Sequence, residues 1–143
     1  MRYFDSGVLV KLYHLEPNSA VAAACVHEVA APIPLNPLHR LELHSALRLM
    51  LGRGEIAPAD CQQALVTFAQ DCAAGSFPDE MPDWKRVFDR AEQLSAAHTA
   101  TTLSRSLDIL HVALALESGA TEFCTFDQRQ ATMARLVGLT VVP

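Results

Sequence analysis

Residues 104–142 read SRSLDILHVALALESGATEFCTFDQRQATMARLVGLTVV, and this stretch decides the fold. From Ser104 to Ser118 nearly every side is apolar (Leu107, Ile109, Leu110, Val112, Ala113, Leu114, Ala115, Leu116), which predicts a central, buried helix ended by Gly119. Glu122-Phe123-Cys124-Thr125-Phe126 reads as a strand, Asp127 to Val137 as a helix, and Leu139-Thr140-Val141-Val142 as a final strand. Strands that alternate with helices in this way form a parallel sheet covered on both faces.

The same alternation opens the chain. Tyr3-Phe4 is a short strand that stops at Asp5-Ser6-Gly7, after which Val8, Leu9, Leu12 and Tyr13 recur at helical spacing. Pro17-Asn18-Ser19 starts a second helix to about Ala30, and Pro32 and Pro34 hold residues 31–35 extended as a short edge strand. Asn36 caps a helix that begins at Pro37 and runs to about Leu51. Its partner from Pro58 to Ala74 carries Cys61, Ala64, Leu65, Phe68 and Cys72 on one stripe, so the pair reads as an antiparallel helical hairpin with that stripe in the core. Residues 76–81 add a brief strand, Pro82-Asp83-Trp84 opens a helix to about His98, and residues 99–103 are β-branched and loose.

A chain of 143 residues fits a single domain, residues 1–143, with a substantial core. Eleven Lys and Arg against sixteen Asp and Glu give a formal charge of −5, the opposite of a protein that grips nucleic acid by phosphate neutralisation alone. The cysteines (Cys25, Cys61, Cys72, Cys124) form no Cys-x-x-Cys pair and the histidines no i, i+4 pair, so neither a zinc site nor a disulfide framework is expected. Asp5 falls where a secretory leader needs an apolar core, and no apolar run approaches the roughly 18 residues of a membrane span. The expected compartment is a reducing cytoplasm, with no membrane partner.

Four acids stand out. Asp5 and Asp127 each end a strand and precede a helix, which puts both at the carboxyl edge of a parallel sheet, where such folds place their ligands. Each is also a good helix cap, and Asp127-Gln128-Arg129-Gln130 is close to a capping box. Glu42 falls within the apolar arc of Leu38, Leu43, Ala46, Leu47, Leu49 and Met50, so its carboxylate needs a metal, a cationic partner or a proton. Asp108 lies on the most apolar helix, three residues after Arg105, where a first-turn acid or an ion pair is the bland account. The simplest single account of all four is that they converge. Carboxylates so gathered repel one another unless hard divalent cations sit among them, and an all-oxygen site suits Mg²⁺ or Mn²⁺. Two such ions, roughly 3.5–4 Å apart, hydrolyse phosphodiesters by activating water and steadying the leaving oxygen.

The stretch from Tyr3-Phe4-Asp5-Ser6-Gly7 through Tyr13, Glu42, Arg105-Ser106-Leu107-Asp108-Ile109-Leu110-His111-Val112-Ala113 and Thr125-Phe126-Asp127 together resemble PIN-domain ribonucleases, particularly VapC-type toxins of type II toxin-antitoxin pairs. The resemblance covers essentially the whole chain. It implies a three-layer α/β/α sandwich with a parallel sheet of four to five strands, Mg²⁺- or Mn²⁺-dependent RNA cleavage with one or two ions, a homodimer, and an antitoxin whose tail lies across the acidic site. It places Asp5, Glu42, Asp108 and Asp127 on the catalytic, metal-ligating acids, with Ser6 and Thr125 where a hydroxyl supports them. Gly7 departs from the family pattern, in which a second Ser or an Ala is common.

Other residues carry less. Arg105 is read as the holder of Asp108, with a phosphate contact as the alternative. Arg40, His44 and Arg48 form a basic stripe that is either an RNA-backbone contact or a solvated helix face. His111, on its apolar helix, reads as a core histidine. A receiver-type phosphoacceptor would need an acidic doublet where Asp5-Ser6 stands, and a haloacid-dehalogenase-type phosphatase would need an aspartate at Gly7. The remaining alternative is a catalytically silent PIN-fold binding protein whose acids serve only as caps and ion pairs.

Overall fold

In the computed structural model, which describes residues 1–143, the elements follow in the order β1 (Arg2–Phe4), α1 (Ser6–Val10), α2 (Ser19–His27), α3 (Pro37–Gly52), α4 (Pro58–Ala73), α5 (Trp84–Thr102), α6 (Ser106–Glu117), β2 (Glu122–Cys124), α7 (Gln128–Leu136) and β3 (Thr140–Val142). The fold is α/β with a parallel sheet, as the alternation predicts. The residues gather into two compact units, Met1–Asp5 with Pro82–Pro143, and Ser6–Met81.

The first unit holds the sheet. Its strands run parallel in the order β1-β2-β3, with Tyr3 opposite Phe123 and Phe123 opposite Val141. The central strand is the apolar one. Phe123 and Cys124 are fully buried, and Tyr3 stacks on the Phe123 ring at 5.6 Å between centroids. At the strand starts Arg2 Nε donates to Glu122 Oε2 at 2.9 Å, an opposite-charge pair that favours this register. Helix α6 is as buried as its composition predicts, with Val112, Ala113 and Ala115 wholly inaccessible, although Leu107 stands half exposed. It packs against α5 and α7. Helix α5 extends through residues 99–102, which β-branching alone marks as loose. Thr102 Oγ1 donates back to the His98 carbonyl at 3.1 Å, and Leu103, in the left-handed region, ends the helix.

The second unit is helical. Asn36 caps α3 as expected: its Oδ1 accepts from the Leu38 and His39 N–H groups, and its own N–H donates to His39 Nδ1 at 3.3 Å. This is a capping box with His in the place of Glu, and Pro37 fills the first helical position. Helix α4 buries Cys61, Ala64 and Phe68 against α3, so the stripe is core. The two expected short strands at residues 31–35 and 76–81 reduce to one parallel bridge, Leu35 with Asp79. Ile33, Leu35 and Glu80 N–H groups still find carbonyls across this pair, but the prolines at 32, 34 and 78 lack donors and stop the ladder.

A candidate acidic site at the ends of two parallel strands

Asp5 and Thr125 are the residues that immediately follow β1 and β2. Asp5 N–H donates to the Cys124 carbonyl and Thr125 N–H to the Val142 carbonyl, both at 3.0 Å, so strand pairing continues through them. Parallel pairing therefore sets both side chains at the carboxyl edge. Asp5 is only 8% exposed. Thr125 Oγ1 stands 3.2 Å from Asp5 Oδ2 and 3.2 Å from Gln130 Oε1, with a single proton to serve one of them at a time. The same oxygen accepts from Asp127 N–H at 3.0 Å.

Asp108 reaches this cluster from the first turn of α6. Its Oδ2 accepts from Arg105 N–H at 2.9 Å, which satisfies one of the orphan donors of the helix start. Its Oδ1 accepts from Gln130 Nε2 at 3.2 Å, and that same nitrogen lies 3.4 Å from Asp5 Oδ1. One amide group thus spans two carboxylates. Asp127 is the N-cap of α7, with Oδ1 accepting from Arg129 N–H at 2.7 Å and Gln130 N–H at 3.0 Å. It stands exposed at the rim.

His111 sits beneath the cluster, 1% exposed. Its Nδ1 is 2.8 Å from Tyr3 Oη and its Nε2 is 3.8 Å from Asp5 Oδ1. It is a core histidine with a polar partner on one ring nitrogen, and it also faces an acid.

Glu42 belongs to the helical unit, half-buried on α3, and its Oε2 accepts from Ser6 Oγ at 2.7 Å. Ser6 is the residue after Asp5 in the chain. Arg105 makes no ion pair with Asp108; what holds Asp108 from that residue is the backbone N–H. The basic stripe on α3 divides. Arg40 is engaged within its own unit: Nη2 is 2.6 Å from Asp79 Oδ1, Nη1 donates to Cys72 Sγ, and the guanidinium lies over the Phe68 ring at 5.8 Å. His44 meets the same ring edge-on at 5.5 Å, and Arg48 is exposed.

Two residues here escaped the sequence reading as site residues. Gln130 was visible only as a member of a capping box, yet it shares a helical face with the buried Met133 and Ala134. A long amide on a core-facing stripe is the signal that marks it. In the sequence Tyr3 is simply a strand residue, although a phenol next to a buried imidazole supplies that ring's partner. No three acidic, imidazole or thiol side chains stand close enough in this conformation to enclose an ion. The donors that do gather are carboxylate, hydroxyl and amide oxygens, a set that suits a hard cation.

The comparisons with known proteins agree on the fold. A family model described as the PIN domain matches residues 2–136. Among solved structures, the crystal structure of FitAcB from Neisseria gonorrhoeae is similar over 100% of this chain and 97% of that one, with a TM-score of 0.67 at 17% identity. No curated protein matches the chain. No helix is long and apolar enough to cross a membrane.

Proposed function

Because the chain belongs to the PIN domain family, generally a nuclease fold, we propose that it is an endoribonuclease in which Asp5, Glu42, Asp108 and Asp127 hold one or two Mg²⁺ or Mn²⁺ ions. The observation that carries this reading is the pairing of Asp5 with Asp108 through the Gln130 amide, beside Thr125 and at the strand ends. A fold that needed these acids only as caps would have no reason to bring two carboxylates to one donor. A bound divalent ion would supply Lewis acidity at the phosphodiester and offset the negative charge of the site. The chain's own residues do the rest. Asp5 and Asp108 would supply oxygen ligands and Asp127 would add one at the rim, while Ser6 orients the Glu42 carboxylate within its own unit. Thr125 keeps Asp5 in one rotamer.

The toxin role rests on the resemblance of the Asp5-Ser6 and Thr125-Phe126-Asp127 stretches to VapC-type proteins. With it come an antitoxin partner, a homodimer and action on RNA in the cytoplasm. The binding-protein reading keeps one specific support, since Asp108 and Asp127 both perform capping work. Purified protein, incubated with end-labelled single-stranded RNA in EDTA or in Mn²⁺, separates the two. Cleavage in Mn²⁺ alone, leaving 5′-phosphate and 3′-hydroxyl ends, is expected, together with a melting temperature raised by millimolar Mn²⁺ through mass action. Intact RNA and an unmoved melting temperature would leave only the binding protein.

A further inference from the structure

Gln130 is 4% exposed, and every polar atom of its side chain is committed to the acidic cluster. Ionised carboxylates only accept, so the two bonds from Nε2 to Asp5 Oδ1 and Asp108 Oδ1 dictate which way the amide is turned, and Oε1 is left to face the Thr125 hydroxyl. In a capping box Gln130 would instead reach back to the Asp127 N–H. Thr125 Oγ1 takes that donor, which releases the Gln130 amide for the two acids.

One donor joins the two Oδ1 atoms, and they can be no farther apart than the two hydrogen bonds laid end to end. A small cation takes carboxylate oxygens at roughly 2.0–2.2 Å, whereas the amide nitrogen stands more than 3 Å from both. An N–H donor and a cation compete for the same lone pairs. We propose, building on the metal-dependent reading above, that Gln130 is a positioning residue that stands in for the cation: it bridges Asp5 and Asp108 in the ion-free protein and must yield its two bonds when Mg²⁺ or Mn²⁺ enters. Gln130 thereby lowers the affinity for the ion and stabilises the ion-free protein.

The substitution Gln130→Met keeps length and volume and removes the donor. Mn²⁺ binding to the full chain is read by electron paramagnetic resonance, and melting temperature is measured in EDTA and in saturating Mn²⁺. The variant is expected to melt lower than wild type in EDTA, to match it closely in Mn²⁺, and to bind Mn²⁺ about tenfold more tightly, the scale on which residues behind the ligands move metal affinity. Gln130→Asn, a shorter amide, is expected to fall between the two. A residue that merely packs would lower the melting temperature equally with and without Mn²⁺ and leave the affinity unchanged, and that result overturns the proposal. Weaker Mn²⁺ binding in Gln130→Met overturns it as well. Wild-type protein that binds no Mn²⁺ defeats the metal-dependent reading itself, and this proposal with it, an outcome visible before any variant is made.

Discussion

Both compact units bury an apolar core, but the buried polar residues of the helical unit are caps and hydroxyls such as Asn36, His39 and Ser19, whereas the sheet unit buries a carboxylate, Asp5. In the sheet unit the buried set includes Asp5, Thr125, Gln130 and His111, each tied to another polar group. In the helical unit the centre is Phe68, 1% exposed, ringed by Tyr13, His44 and Phe77 with the Arg40 guanidinium over its face. Apolar packing of that kind stabilises wherever it occurs. A buried carboxylate beside a second one does not, and it persists only where hydrogen bonds offset its desolvation. On the proposed function, the contrast separates residues that serve packing from residues that serve chemistry.

The sharpest way to break this contrast is Asp5→Asn or Asp108→Asn. If these acids hold the ion as proposed, losing one removes several kcal/mol of transition-state stabilisation, and RNA cleavage in Mn²⁺ is expected to fall on the order of a thousandfold or more. Thermal melts of the same variants are expected to stay near wild type, because an acid is being removed from a crowded site. Full activity in both variants would erase the functional half of the comparison. Phe68→Ala should do the reverse, with about 3–5 kcal/mol lost in denaturant unfolding through the cavity it opens. A Phe68→Ala protein as stable as wild type would mean that the aromatic cluster is not the centre of its unit.

The smallest effect is a pH dependence at the rim of that cluster. Burial, followed by the nearby Arg48 and Arg40 charges, lowers the His44 pKa from its ordinary 6.5. The unfolded chain then takes up the proton before the folded one as pH falls. This share of stability is present above pH 6.5 and is lost below it, toward the native value. His44→Gln is expected to flatten that part of a melting-temperature profile between pH 7.5 and 5, and an unchanged slope would count against burial as the cause.

Much of the fold was legible because local and long-range signals agree. The pattern of strand, acid and helix appears at Tyr3-Phe4-Asp5 and again before Asp127, and Asn36-Pro37 starts its helix as capping rules require. The edge strands expected around Leu35 and Asp79 shrink to a single bridge. An extended backbone is imposed by proline at 32, 34 and 78, but the same residues remove the donors a ladder needs. Residues 99–102 went the other way, since helical packing of α5 outweighed β-branching. In the site, Asp5 and Asp108 were legible as acids on apolar elements. Gln130 was not, because its own helix offers an adequate local use for it, and only tertiary structure shows that Thr125 has taken over that use. The Arg40 stripe was ambiguous for a similar reason: periodicity shows which way a guanidinium faces and is silent about Asp79, 39 positions away.

The pairing of β1 with β2 joins residues 120 positions apart, and Asp5 meets Gln130 over a span of 125. A polypeptide grows from its first residue, so Asp5 emerges from the ribosome long before the strand, hydroxyl and amide that will hold it. On the function proposed above, a half-made copy has no assembled cutting centre. If that function holds, the messenger being translated would be out of reach of the nascent product until the segment around Gln130 has been released.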